Sequence, residues 1–160
     1  MNTKVLTVLL IVCIAIIAYI VCITILVNNK GTNNTLDDSL EGVVLEVKEN
    51  TVTNTGLTII LKNVTPNEYT YGNSFWVEEK VESGWCKVPY VTEGNFVFNA
   101  IGHILGENSV REQEIGWKWL YGELSPGHYR IVKDILYLRS PGDYDEFYIS
   151  TEFTIDLGIY

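Results

Sequence analysis

The chain has 160 residues, 47% of them hydrophobic, with 20 acidic against 11 basic side chains. Residues 1–30 hold Lys4 and Lys30 and no acid, so residues 31–160 carry a net charge of −11. That balance excludes a polyanion binder, and nucleic acid with it, while the length favours one domain of about 100–150 residues plus an appendage. The acidic stretch is no disordered tail, since it contains all but one of the aromatic residues, Tyr19 being the exception.

Residues 1–4 read as a short cytoplasmic tail. From Val5 to Val27 only Thr7 and Thr24 are neither aliphatic, aromatic nor cysteine. A helix of that length reaches about 34 Å, enough to cross a hydrocarbon core of about 30 Å with some tilt. Lipid offers no partner for free backbone groups, so a helix is required there. The run is longer than the apolar core of a cleaved secretory signal, and no small-x-small site follows it. It therefore predicts an uncleaved single-pass signal anchor over residues 5–27, with the C-terminal region exported. A lipoprotein alternative rests on Cys22, but Val21 precedes that thiol and Tyr19 stands three before it, where an acylation box wants small and leucine side chains. Cys13 and Cys22 then read as small apolar residues of the membrane helix.

Residues 28–41 are small and polar and predict a flexible stalk. A domain is expected over residues 42–157. Val43, Leu45 and Val47 alternate with Val44, Glu46 and Lys48, and Leu57–Val64 is rich in β-branched side chains, so both predict strands. Phe75–Val81 and Trp85–Val88 flank Glu82-Ser83-Gly84 as a hairpin. Phe96-Val97-Phe98 predicts another strand, and Gly102 and Gly106 interrupt the segment between them. Val110–Leu120 predicts a strand that places Ile115, Trp117, Trp119 and Tyr121 on one face, where their rings fill a core. Tyr129–Leu138 predicts one long strand, Ser140-Pro141-Gly142-Asp143 a turn, and Phe147–Ile155 the closing strand. Seven to nine short strands at this spacing predict an all-β, immunoglobulin-like antiparallel sandwich behind the membrane helix. Cys86 is the only thiol outside the span, so no disulfide within the domain is available and the core must hold it together.

Gly127 and Tyr129 are the most specific local marker. A tyrosine just after Pro126-Gly127, entering an apolar strand, has the spacing of a tyrosine corner, in which the ring packs inward and the hydroxyl bonds upstream backbone. His128 beside it reads as a solvent-facing turn residue. The stretch Trp117-Lys-Trp119-Leu-Tyr121-Gly122-x-Leu124-x-Pro126-Gly127-x-Tyr129-Arg130-Ile131-x-Lys133, then Arg139-x-Pro141-Gly142-Asp143-x-Asp145, resembles the bacterial Ig-like domains of Gram-positive (Firmicutes) surface and lipoprotein-type proteins. Tyr69-Thr-Tyr71-Gly72, Glu78-x-Lys80, Trp85 and Val88-Pro89 are similar to that family too. The resemblance spans roughly Gly42 to Ile155 and implies an Ig-like sandwich on an exported protein, with no catalytic residues to carry over.

Asp143, Asp145 and Glu146 are weak candidates for a calcium site, lacking the glycine and distal glutamate of an EF-hand loop; a solvated turn before an edge strand is the preferred reading. His103 and His128 accompany no nucleophile motif, phosphate loop or zinc motif. The expectation is a non-enzymatic, cofactor-free module, anchored in the cell membrane and binding an extracellular protein or glycan or serving structurally. Two rival readings are a protease inhibitor presenting Gly102–Ser109 as its loop, and a calcium-dependent adhesin using Asp143 and Asp145.

Overall fold

The computed structural model describes residues 40–92 and 96–156. The expected tail, the span over 5–27 and nearly all of the stalk lie outside those residues. Among the described residues no helix is long and apolar enough to cross a membrane.

Among the described residues nine strands and one short helix follow in chain order: β1 (Val43–Val47), β2 (Gly56–Asn63), β3 (Tyr69–Tyr71), β4 (Trp76–Val81), β5 (Gly84–Lys87), β6 (His103–Leu105), β7 (Ser109–Gly116), α1 (Lys118–Tyr121), β8 (Gly127–Ser140) and β9 (Asp143–Ile155). They form two antiparallel sheets. In the first the order is β1-β2-β7, with Leu45 opposite Leu61 and Leu57 opposite Ile115. Period-two alternation decides its faces: Leu57, Ile59 and Leu61 are buried, while Thr58, Ile60 and Lys62 stand half-exposed.

The second sheet is built along β8. One flank of β8 pairs with β9 over nearly its whole length, from Gly127 opposite Ile155 to Ser140 opposite Asp143. The other flank pairs first with β4 and then with β3. β5 continues the sheet beyond β4, and β6 continues it beyond β3. Val77, Ile131, Ile135, Ile149 and Phe153 face the first sheet, and with Leu45, Ile59, Leu61 and Ile115 they make one buried cluster. Cys86 is a free thiol, so this cluster does the work that disulfides do in many secreted sandwiches.

Tyr129 is buried at the start of β8, and its hydroxyl donates to the Ser125 carbonyl at 2.9 Å. Its ring stacks on Phe153 with centroids 5.6 Å apart. Gly127 has to be small, because a Cβ there would lie 3.0 Å from the Tyr129 ring. Tyr129→Phe keeps the ring and removes the donor, so a loss of about 1 kcal/mol is expected in urea unfolding; no change would mean that the corner bond is idle.

Three expected elements differ. The strand proposed for Val110–Leu120 stops at Gly116, which pairs with Gly56. The chain then bends into α1, and the Leu120 and Tyr121 amides donate to the Trp117 carbonyl at 2.9 Å. Trp117, Leu120 and Tyr121 therefore point inward with helical spacing, whereas Trp119, expected in the core, stands 49% exposed. Phe96-Val97-Phe98 pairs with no strand, although its side chains still alternate: both phenylalanines pack on the core and Val97 is exposed. His128 lies in β8 instead of a turn, where it is exposed and bonds Glu152 and Thr154.

Between β3 and β4 the ladder along β8 is interrupted. Tyr71 stands opposite Ile135 and Trp76 opposite Val132, so four residues, 72–75, face only Lys133 and Asp134. Such a bulge releases backbone groups that a continuous strand would pair. The two opposing side chains take over. Lys133 is fully buried, and its ammonium donates to the carbonyls of Gly72 and Ser74 at 2.8 Å each. The Ser74 hydroxyl donates to Asp134 at 2.5 Å. Desolvation lowers the Lys133 pKa from 10.5 to about 8, against a smaller opposing pull from Asp134.

Candidate binding site

The strand break turns Asn73 away from the ladder and into a polar cluster. Its Oδ1 accepts from the Gln113 amide at 2.8 Å and lies 3.1 Å from His103 Nε2. Its Nδ2 donates to Asn99 Oδ1 at 2.5 Å. β7, β6 and the 96–102 segment are thus drawn together around one side chain. Gln113 Oε1 is buried and accepts no hydrogen bond among the described residues.

Beside this cluster Trp119 and Tyr121 of α1 meet Tyr90, Phe96 and Phe98. Trp119 lies 5.8 Å from Phe96 and 5.6 Å from Phe98, both edge to face. Tyr121 stacks on Tyr90 at 5.2 Å, and Phe75 packs 5.4 Å from Phe98. α1 is held in place from outside: the Val91 amide donates to the Leu120 carbonyl at 2.8 Å, and the Thr92 hydroxyl donates to the Trp119 carbonyl. Trp119 Nε1 is spent on the Gly116 carbonyl at 3.1 Å, so the indole offers solvent only its apolar surface. Burial pushes the Tyr121 hydroxyl well above the usual phenol range, in keeping with a structural role in which it accepts from the Val77 amide at 3.1 Å.

Between the amides and the rings lies a cleft of about 400 Å³, lined by Asn73, Phe98, Asn99, Gln113, Glu114 and Trp119 among others. A second hollow of about 480 Å³ shares Asn73, Val97, Phe98 and Asn99 and continues along Thr70–Ser74. A concave site with a few convergent polar groups beside aromatic walls has the general composition of a ligand pocket.

A model of the bacterial Ig-like domain family matches residues 39–154. The chain belongs to that family. No curated protein and no solved structure matches it. The two sheets and the hydroxyl of Tyr129 on upstream backbone agree with membership, and the family is one of typically non-catalytic modules.

The other sequence candidates fall elsewhere on the Ig-like domain. Asp143 and Asp145 sit at the tip of the β8–β9 hairpin, where Arg139 contacts Asp143 at 2.7 Å and Asp145 at 2.5 Å. Hydrogen bonding from Arg139 holds the Asp145 carboxyl below its ordinary value. Glu146 is exposed nearby on β9. Among the described residues no group of three or more His, Cys, Asp or Glu is placed to hold a metal ion. Excess EDTA is accordingly expected to leave the melting temperature unchanged, whereas a fall would restore the calcium reading. Gly102–Ser109, the loop of the inhibitor reading, is ordered. His103–Leu105 pairs with β3, and the turn after it is fixed by Asn63 Nδ2 and the Ser109 hydroxyl donating to the Gly106 carbonyl at 2.8 and 2.6 Å.

Sequence reasoning passed over Asn73, Asn99 and Gln113. No local motif marks them, since they converge from three separated segments. Asn73 alone carried a signal, standing beside Gly72 inside an otherwise strand-like stretch.

Proposed function

We propose that the chain is a membrane-anchored, exported bacterial Ig-like module that binds an extracellular protein or glycan and performs no chemistry of its own. The binding half rests on one observation: Trp119 is half-exposed at the edge of a cleft, held there by the Thr92 hydroxyl on its carbonyl, the Val91 amide on the next carbonyl and two phenylalanine rings. A large ring kept at the surface by that many contacts is placed for recognition better than for folding. The anchoring half rests on the apolar run Val5–Val27 and on the charge of −11 in the region beyond Lys30, which suits a soluble body outside an anionic membrane. Protease shaving tests the location. With the full chain carrying a C-terminal epitope in a bacterial host, protease added to intact cells is expected to remove the epitope. An epitope that survives shaving but is lost on lysis would overturn the exported topology.

A further inference from the structure

We propose that the cleft between Trp119 and the strand break takes a neutral carbohydrate. The inference rests on the reading of the chain as a binding module and names the ligand class of that site. Three kinds of observation converge on it.

The first is the polar lining. Asn73, Asn99 and Gln113 meet in one network, and carboxamides carry both donors and acceptors. Sugar hydroxyls also donate and accept, so each amide can meet a vicinal hydroxyl pair in either sense. The buried Gln113 Oε1 still lacks a donor among the described residues, and a hydroxyl hydrogen entering the cleft would supply one. The second is the apolar wall. Trp119 presents an indole whose N–H is already bonded to Gly116, so its contact with a ligand is through the ring. The electron-rich face of an indole suits the axial C–H groups of a pyranose. The third is charge. Among the described residues Glu114 is the only ionisable side chain lining this cleft, and no cation lines it; with −11 on residues 31–160, an anionic polysaccharide is disfavoured. An apolar peptide segment would cover Trp119 but bring no donor to the buried Gln113 Oε1, which is unfavourable.

Affinity electrophoresis tests this with the full chain in neutral detergent, run through gels containing α-mannan, β-1,3-glucan or glycol chitin, with polygalacturonate as the anionic comparison. Retardation is expected in at least one neutral gel and not in polygalacturonate. Trp119→Ala and Asn99→Ala, both changes at exposed residues, should weaken that retention at least tenfold, while Trp85→Ala on β5 leaves it intact. Near-UV circular dichroism on each variant separates lost binding from lost folding. Free migration in all three neutral gels would overturn the assignment, as would full retention of folded Trp119→Ala or equal retention by polygalacturonate. The shaving experiment stands apart: an exported chain that ignores all three polysaccharides refutes the carbohydrate class alone, whereas a chain that is not exported removes the reading beneath it.

Discussion

Trp117→Ala is expected to destabilise the domain by about 3–5 kcal/mol, the range for emptying a fully buried aromatic site. Trp117 has no exposed surface. Its indole N–H donates to the Asn54 carbonyl at 3.0 Å, its ring lies 5.4 Å from Phe153 of β9, and its backbone amide donates to Thr55 at 2.9 Å. One residue thereby ties the end of the first sheet to the last strand of the second. In urea unfolding followed by fluorescence, the midpoint should fall by most of the margin of a small domain. Trp119→Ala, two positions away, removes a half-exposed ring and should cost no more than about 1–2 kcal/mol. Equal losses at the two positions would refute the division between core and surface drawn here.

The second large effect belongs to Lys133. Lys133→Ala removes the buried stem and leaves the Gly72 and Ser74 carbonyls without their donor, so a loss of about 3 kcal/mol at pH 7 is expected. The intact residue also sets a pH dependence. The folded pKa of about 8 lies below the 10.5 of the open chain, so between those values the unfolded state binds more protons and stability rises with pH. Below pH 8 both states are protonated and the cost of burying the charge, up to about 3 kcal/mol, is present in full. Above pH 10 the sign reverses, because burial raises the pKa of Tyr71, Tyr121 and Tyr129, and the open chain then loses phenolic protons that the fold retains. Unfolding free energy measured at intervals should therefore climb from pH 8 towards a maximum near pH 10 and then fall. Lys133→Met, which keeps the volume without the titration, should abolish the climb and keep the fall. A wild-type profile flat from pH 8 to 10 would mean that the ammonium is solvated.

Strand periodicity made most of the sandwich legible. Val43–Val47, Leu57–Val64 and Tyr129–Leu138 alternate or run apolar in the way a half-buried sheet demands, and all lie in or at the ends of observed strands. Tyr129 was readable because its partner lies four residues upstream, within reach of local sequence. Trp117–Tyr121 misled, since alternate aromatics suit a strand while Trp117, Leu120 and Tyr121 equally suit one helical turn. The choice was made by Gly116, where pairing with Gly56 ends and the next amide bonds Thr55 instead. Apart from Asn73 beside Gly72, the convergence of the cleft's amides was not legible. Those amides come from the 72–75 break, the 96–102 segment and β7, and only the register of β8 against two separate strands brings them together.

The buried lysine has an implication for how this domain would be improved or worn down. An unbroken third strand would join β8 directly and require no cation in the interior, so deleting two residues from 72–75 together with Lys133→Val should yield a sturdier sandwich. That sturdier protein would have lost the kink that turns Asn73 towards Asn99 and Gln113. Selection for heat resistance alone would then erode this corner of the molecule first.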